Sequence, residues 1–160
     1  MPWSAEIPPI ISLHRYFCAA ARIRKSYEEE ILSPEHEQKR RSLTPDMFAV
    51  YLHSGPASVL YYWYGALQVV KEGYDELGLR DEQVDGLLAD TTKVAALKRC
   101  RNGIFHFQKK YFDERFTELM MEEDCVGWVR ALTNAFGICI KRELDHGYWV
   151  EPRKGPGPLA

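Results

Sequence analysis

The sequence predicts an all-α protein: a compact up-and-down bundle of four main helices with one or two short extra helices. Three observations carry this. Apolar residues recur at spacings of three and four over several long windows, which places them on one face of a 3.6-residue helix. Those windows are bounded by N-capping residues, prolines and glycines at the positions where helices start and stop. No run alternates apolar and polar residues as a half-buried strand requires.

Taken in order, Ile10, Leu13, Phe17, Ala20, Ala21, Ile23, Tyr27 and Ile31 form the first stripe, a helix from about Pro9 to Leu32 that Ser33-Pro34 ends. Residues 33 to 44 are polar and predict a loop or mobile connector. Thr44 as N-cap and Pro45 at the first helical position open a short helix near 45 to 53. Ser54-Gly55-Pro56 restarts the chain into a second long helix, from about Pro56 to Leu77, stopped by Gly78. This helix carries four consecutive aromatics, Tyr61, Tyr62, Trp63 and Tyr64, which cover every face of it. It is therefore either central to the bundle or also part of a subunit interface.

Asp81 to Leu88 reads as a short helical or turn element. Asp90-Thr91-Thr92 caps a third long helix beginning near Lys93, with Val94, Leu97, Ile104 and Phe105 as apolar anchors. A fourth runs from about Glu123 to His146 on Val126, Val129, Leu132, Phe136, Ile140 and Leu144, with Gly147 as its stop. Residues 1 to 146 read as one domain, because a chain of 160 residues can bury a core without disulfides or a structural metal. Residues 147 to 160, rich in Pro and Gly, read as a flexible tail.

The bulk composition excludes several classes. A formal charge of -2 offers no whole-molecule case for nucleic-acid binding, so such a role must rest on local charge. The four cysteines, Cys18, Cys100, Cys125 and Cys139, form no CxxC pair and no Cys/His cluster at zinc spacing; no metal and no cofactor is expected, and reduced thiols in a cytoplasm are. The N-terminus lacks a basic segment followed by an apolar one, so no secretory signal is read. The most apolar stretch, Ala57 to Val70, is about 14 residues, short of the roughly 20 that span a bilayer. His14, His36, His53 and His146 are scattered without partners at ligand spacing and read as structural or solvated. No GxxxxGK[ST], GxGxxG, GxSxG or HExxH pattern occurs.

One segment stands apart. Lys93, Lys98, Arg99, Arg101, Lys109 and Lys110 lie between Thr91 and Lys110 with no acidic residue among them. From Asp113 to Asp124 the sign reverses, with Asp113, Glu114, Glu118, Glu122, Glu123 and Asp124 against Arg115 alone. The basic stretch is either a patch for a phosphate-bearing partner such as RNA, with Lys98, Arg99, Lys109 and Lys110 as contacts, or a solvated helix face paired with the acidic segment. Within it, Asn102 and His106 are four apart, roughly 40° from one another on a regular helix, while Arg101 and His106 are roughly 140° apart.

These residue types suit phosphodiester cleavage by an internal 2'-hydroxyl. Histidine, with a reference pKa near 6.5, can take or give a proton at neutral pH. Arginine offers a fork of donors to charge building on phosphorus, and an asparagine amide can orient a sugar or phosphate oxygen. The reaction needs no metal.

The run R-N-G-I-F-H, Arg101 to His106, resembles the R-x(4-6)-H motif of HEPN domains, in which a polar residue, often Asn, follows the arginine. The resemblance implies an all-helical bundle, commonly a homodimer whose paired motifs face one cleft. In many members it implies a metal-independent endoribonuclease with toxin, defence or RNA-processing roles and, for toxins, an antitoxin or other protein partner. Arg101 would stabilise the phosphate, Asn102 would be its polar partner and His106 the general acid/base. The tyrosine that some members carry two positions after the histidine is Gln108 here. The alternative expectation is a non-catalytic HEPN-like module that binds RNA, a nucleotide or a protein partner.

Overall fold

The computed structural model describes residues 7–111 and 113–147, and among these every regular element is an α-helix. In chain order they are α1 (Pro9–Ile31), α2 (Pro34–Ser42), α3 (Pro45–Ser54), α4 (Pro56–Glu76), α5 (Glu82–Leu88), α6 (Thr91–Phe105), α7 (Glu114–Met121) and α8 (Cys125–Gly147). The four long helices anticipated are α1, α4, α6 and α8, and α3 and α5 are the two short ones. Two more, α2 and α7, bring the described residues to eight helices, beyond the four plus one or two expected.

The expected connector over 33 to 44 is a helix, and its chemistry explains why periodicity missed it. α2 buries no side chain, so it has no apolar stripe to read. Its start is fixed by the Ser33 hydroxyl, which accepts the His36 N–H at 3.1 Å, and by Pro34 at the first position. Glu35 and Glu37 occupy the first turn and Lys39, Arg40 and Arg41 the last, the arrangement the helix dipole favours. Glu37 bonds Arg40 at 2.7 Å and Arg41 at 2.6 Å, and these two guanidinium groups hold its carboxyl down at about 2. α7 starts on Asp113, whose carboxylate accepts the Arg115 N–H, and it packs against α6 and α8 with Leu119 fully buried.

The central helix is α4, in contact with α1, α3, α6 and α8. Three of its four consecutive aromatics, Tyr61, Trp63 and Tyr64, are buried, and Tyr62 turns outward. Burying side chains of this size is the dominant favourable term in folding, about 1.5–3 kcal/mol for each Leu- or Phe-sized group. α8 closes the other side with Val129, Leu132, Phe136, Cys139 and Ile140 buried at its face. The short α5 is tied in by the Tyr74 hydroxyl donating to Asp85 at 2.8 Å, the Trp128 ring N–H donating to the Leu87 carbonyl at 3.0 Å, and Arg142 pairing with Asp81 at 2.8 Å.

Gly78, just past the end of α4, has φ +63°, the left-handed turn anticipated at that stop. At Gly65 a Cβ would stand 3.2 Å from both Ile104 Cδ1 and Phe105 Cε2, so its absence lets α6 approach α4 closely at the end that carries the motif. Among the described residues no helix is long and apolar enough to cross a membrane. The tail expected from residue 147 lies, from 148 onward, outside the described residues.

Candidate functional site

α6 begins one or two residues earlier than its caps suggested, with the Asp90 carboxylate accepting the Lys93 N–H at 3.1 Å. Ala96, Leu97 and Cys100 face the core, which leaves Arg101 and Asn102 half-buried on the flank toward α4. There Arg101 Nη1 donates to Asn102 Oδ1 at 3.1 Å, and Arg101 Nη2 lies 3.6 Å from Glu72 Oε2. Glu72 accepts from Gln68 Nε2 through its other oxygen at 3.2 Å. Gln68 is 2% exposed and its own Oε1 has no hydrogen-bond partner. The result is a polar line running from the interior out to the surface: Gln68, Glu72, Arg101, Asn102.

His106 does not share the helix face that the four-residue spacing predicted. α6 ends at Phe105, and His106 is extended, with φ -127° and ψ 132°. The side chain of Gln108 turns back to end the helix, donating from Nε2 to the Gly103 carbonyl at 3.2 Å and to the His106 carbonyl at 2.5 Å. Arg115 bonds Gln108 Oε1, and Asp113 holds Arg115 at 2.7 Å. The Arg115 guanidinium, bonded to Asp113 in turn, keeps that carboxyl down at about 2. Gln108 thus closes α6 and fixes the backbone of His106. The His106 ring is exposed, and no described side chain bonds to it.

The basic stretch divides. Arg99 is engaged by the acidic segment through two bonds of 2.5 Å to Glu118, Lys93 pairs with Asp90 at 3.2 Å, and Arg101 pairs with Glu72. That part follows the solvated-face reading. Lys98, Lys109 and Lys110 are exposed, the last two beside His106 and next to Phe107, which is 90% exposed. Of the candidate RNA contacts, Arg99 is therefore committed within the chain, and Lys98, Lys109 and Lys110 remain at the surface.

Sequence reasoning missed several contributors. Glu72 and Gln68 come to the motif only through the packing of α4 on α6, although a glutamine interrupting the apolar run of α4 was a visible signal. His53, read as structural or solvated and bonded to Tyr61 as a structural histidine would be, also lines a pocket with Ser58, Tyr61, Tyr62, Tyr111 and Phe116 beside Ile104. Its Nδ1 is 3.2 Å from the Tyr61 hydroxyl; burial lowers the pKa of the imidazole and pushes that of the Tyr61 phenol up to about 12, so both are neutral at pH 7. The four cysteines are free, and burial raises the pKa of the Cys100 thiol to about 12, which makes it a packing group rather than a nucleophile. Among the described residues no three His, Cys, Asp or Glu side chains gather as metal ligands would. No protein-family model, no curated protein and no solved structure matches the chain.

Proposed function

We propose that the chain is a HEPN-like, metal-independent endoribonuclease that works as a homodimer. The observation that carries the reading is the placement of the motif at the surface: Arg101 and Asn102 are bonded side by side on α6, and the His106 ring stands in solvent just past the helix end. Lys109 and Lys110 add positive charge at the same end.

In this reading an RNA 2'-hydroxyl gives its proton to His106 and attacks the adjacent phosphorus. The bond to the 5'-oxygen breaks, leaving a 2',3'-cyclic phosphate, and the departing 5'-oxygen takes up a proton to become a 5'-hydroxyl. Arg101 donates to the phosphoryl oxygens as charge builds, and Asn102 holds the guanidinium in place. The motif of one chain carries one histidine, so a second copy supplies the second proton-transfer group. The exposed Phe105 and Phe107 flank the motif as apolar surface for that copy.

The test is RNA cleavage in EDTA. Wild type yields cyclic-phosphate ends; Arg101→Ala and His106→Ala abolish them with the thermal midpoint nearly unchanged. Wild-type activity in either variant sinks the proposal.

A second reading, a non-catalytic module, is favoured by one observation: Arg101 and Arg99 already have carboxylate partners in Glu72 and Glu118. It expects RNA binding that weakens steeply with salt and yields no product on prolonged incubation.

A further inference from the structure

A pocket of about 190 Å³ opens beside the C-terminal end of α6. Ile104 forms one wall, two residues before His106. Tyr61, Tyr62, Tyr111 and Phe116 supply aromatic surface, and His53 and Ser58 add polar groups. At ~30 Å³ per water the space holds roughly six waters, the scale of one heterocycle rather than of a drug-sized ligand.

The walls are fixed from behind. Tyr61 is 5% exposed, bonded to His53 and packed on Phe116 at 5.1 Å between ring centroids. The rim is different: Tyr62 is 51% exposed with its ring edge-on to Phe105 at 6.3 Å, and Tyr111 is 55% exposed with its ring tilted against His53 at 6.1 Å and its hydroxyl donating to the Val50 carbonyl. Tyr111 directly follows Lys109 and Lys110 in the chain, and these two exposed lysines line a second cleft with Phe107, Asp113 and Arg115. Rings beside cations are the combination by which single-stranded nucleic acids are held, since every base has a π-face to stack and every linkage a charge.

We propose that this pocket takes one unstacked nucleobase of single-stranded RNA and so sets the strand against the His106 end of α6. The inference deepens the proposed function and rests on RNA being the ligand of that site. The pocket is a positioning device: it holds the base of a nucleotide flanking the scissile linkage while Arg101 and His106 act on phosphate and sugar.

The experiment uses the full chain and a labelled single-stranded oligoribonucleotide, 2'-O-methylated so that it stays intact, beside the same backbone without bases. Fluorescence polarisation gives Kd for wild type, Tyr62→Ala, Tyr111→Ala and Tyr62→Phe. Loss of one stacked base weakens binding roughly 5- to 150-fold. That loss is expected for each alanine variant with the base-bearing strand, with little change for the abasic strand and near wild-type affinity for Tyr62→Phe. Both tyrosines are half-exposed, so the variants fold, and equal thermal midpoints check it.

Wild-type affinity in both alanine variants, or equal affinity of wild type for the two strands, overturns the pocket. If cleavage is lost in Arg101→Ala and His106→Ala at the same time, the pocket alone has failed. A fall from dimer to monomer in Tyr62→Ala with no base-dependent loss assigns the rim to a protein partner and also overturns it. RNA bound through the pocket but never cleaved leaves the pocket standing and overturns the ribonuclease. A wild type that neither binds nor cleaves RNA overturns both.

Discussion

Replacing Glu72 with glutamine should tighten RNA binding at the motif. Arg101 cannot offer its full fork to a phosphate while Nη2 lies 3.6 Å from Glu72 Oε2. The two side chains are 35% and 41% exposed, and ion pairs in such settings contribute about 0.2–1 kcal/mol. Relieving that competition corresponds to a gain in affinity of about 1.4- to 5-fold. Glu72→Gln keeps an oxygen to accept the 3.2 Å bond from Gln68 Nε2, so the interior end of the polar line is preserved. The folding cost is at most about 1 kcal/mol, a fall of about 2–4 °C in the thermal midpoint for a chain of this size. The assay pairs polarisation titration of an uncleavable RNA with cleavage rates in EDTA. If Glu72→Gln instead loses cleavage to the level of Arg101→Ala at an unchanged midpoint, the carboxylate orients Arg101 rather than competing for it, and the reasoning is refuted.

Two further outcomes concern the clasp behind His106. Gln108→Ala removes the donor to the Gly103 and His106 carbonyls; with net hydrogen-bond contributions of about 0.5–1.5 kcal/mol each, the midpoint falls by several degrees, and amide exchange rises first over residues 103–108. Unchanged exchange there would show that the cap does not hold the loop. The second outcome is pH-dependent. The Arg115 bond holds the Asp113 carboxyl at about 2, below its ordinary value near 3.9. A carboxyl depressed in the folded state stabilises it fully above the unfolded pKa and ceases to do so as pH falls through the folded one. The clasp should therefore be intact above about pH 4 and loosen toward pH 2, read as the midpoint of the Asp113 carboxyl carbon shift by NMR. A midpoint near 3.9 contradicts the Arg115 bond.

Most of the long elements were legible because their burial is written as periodicity. Leu13 and Ala20 in α1, and Val129, Leu132, Phe136 and Ile140 in α8, recur at helical spacing and are the residues found buried. α2 was illegible by the same logic, since a helix that buries nothing shows no stripe; its signal lay in the Ser33-Pro34 start and the Glu37 pairs with Arg40 and Arg41. At the candidate site, the sequence proposes Arg101, Asn102 and His106 but does not carry their geometry. Treating the motif as regular helix put His106 beside Asn102, whereas the helix stops one residue short through a contact from Gln108 that no spacing rule encodes. The pocket was hidden for a related reason: His53, Tyr61 and Tyr111 belong to three separate segments and meet only when α3 and the chain after α6 fold onto α4.

The division of the basic stretch sharpens what the motif can do. Charge counted along the sequence weights Lys93, Arg99 and Arg101 equally with Lys109 and Lys110. In the fold the first three are answered by Asp90, Glu118 and Glu72, and the exposed cations beside His106 are the lysines after the helix end. That end of α6 carries the negative pole of its dipole, which Lys109 and Lys110 can offset when no ligand is present. A phosphate arriving there meets those lysines and a solvent-facing histidine whose backbone Gln108 has fixed. It meets a guanidinium only if Arg101 turns from Glu72. In the proposed function Arg101 is thus the variable element: held by Glu72 it would belong to a binding surface, and released by an incoming phosphate it would complete a cleavage site.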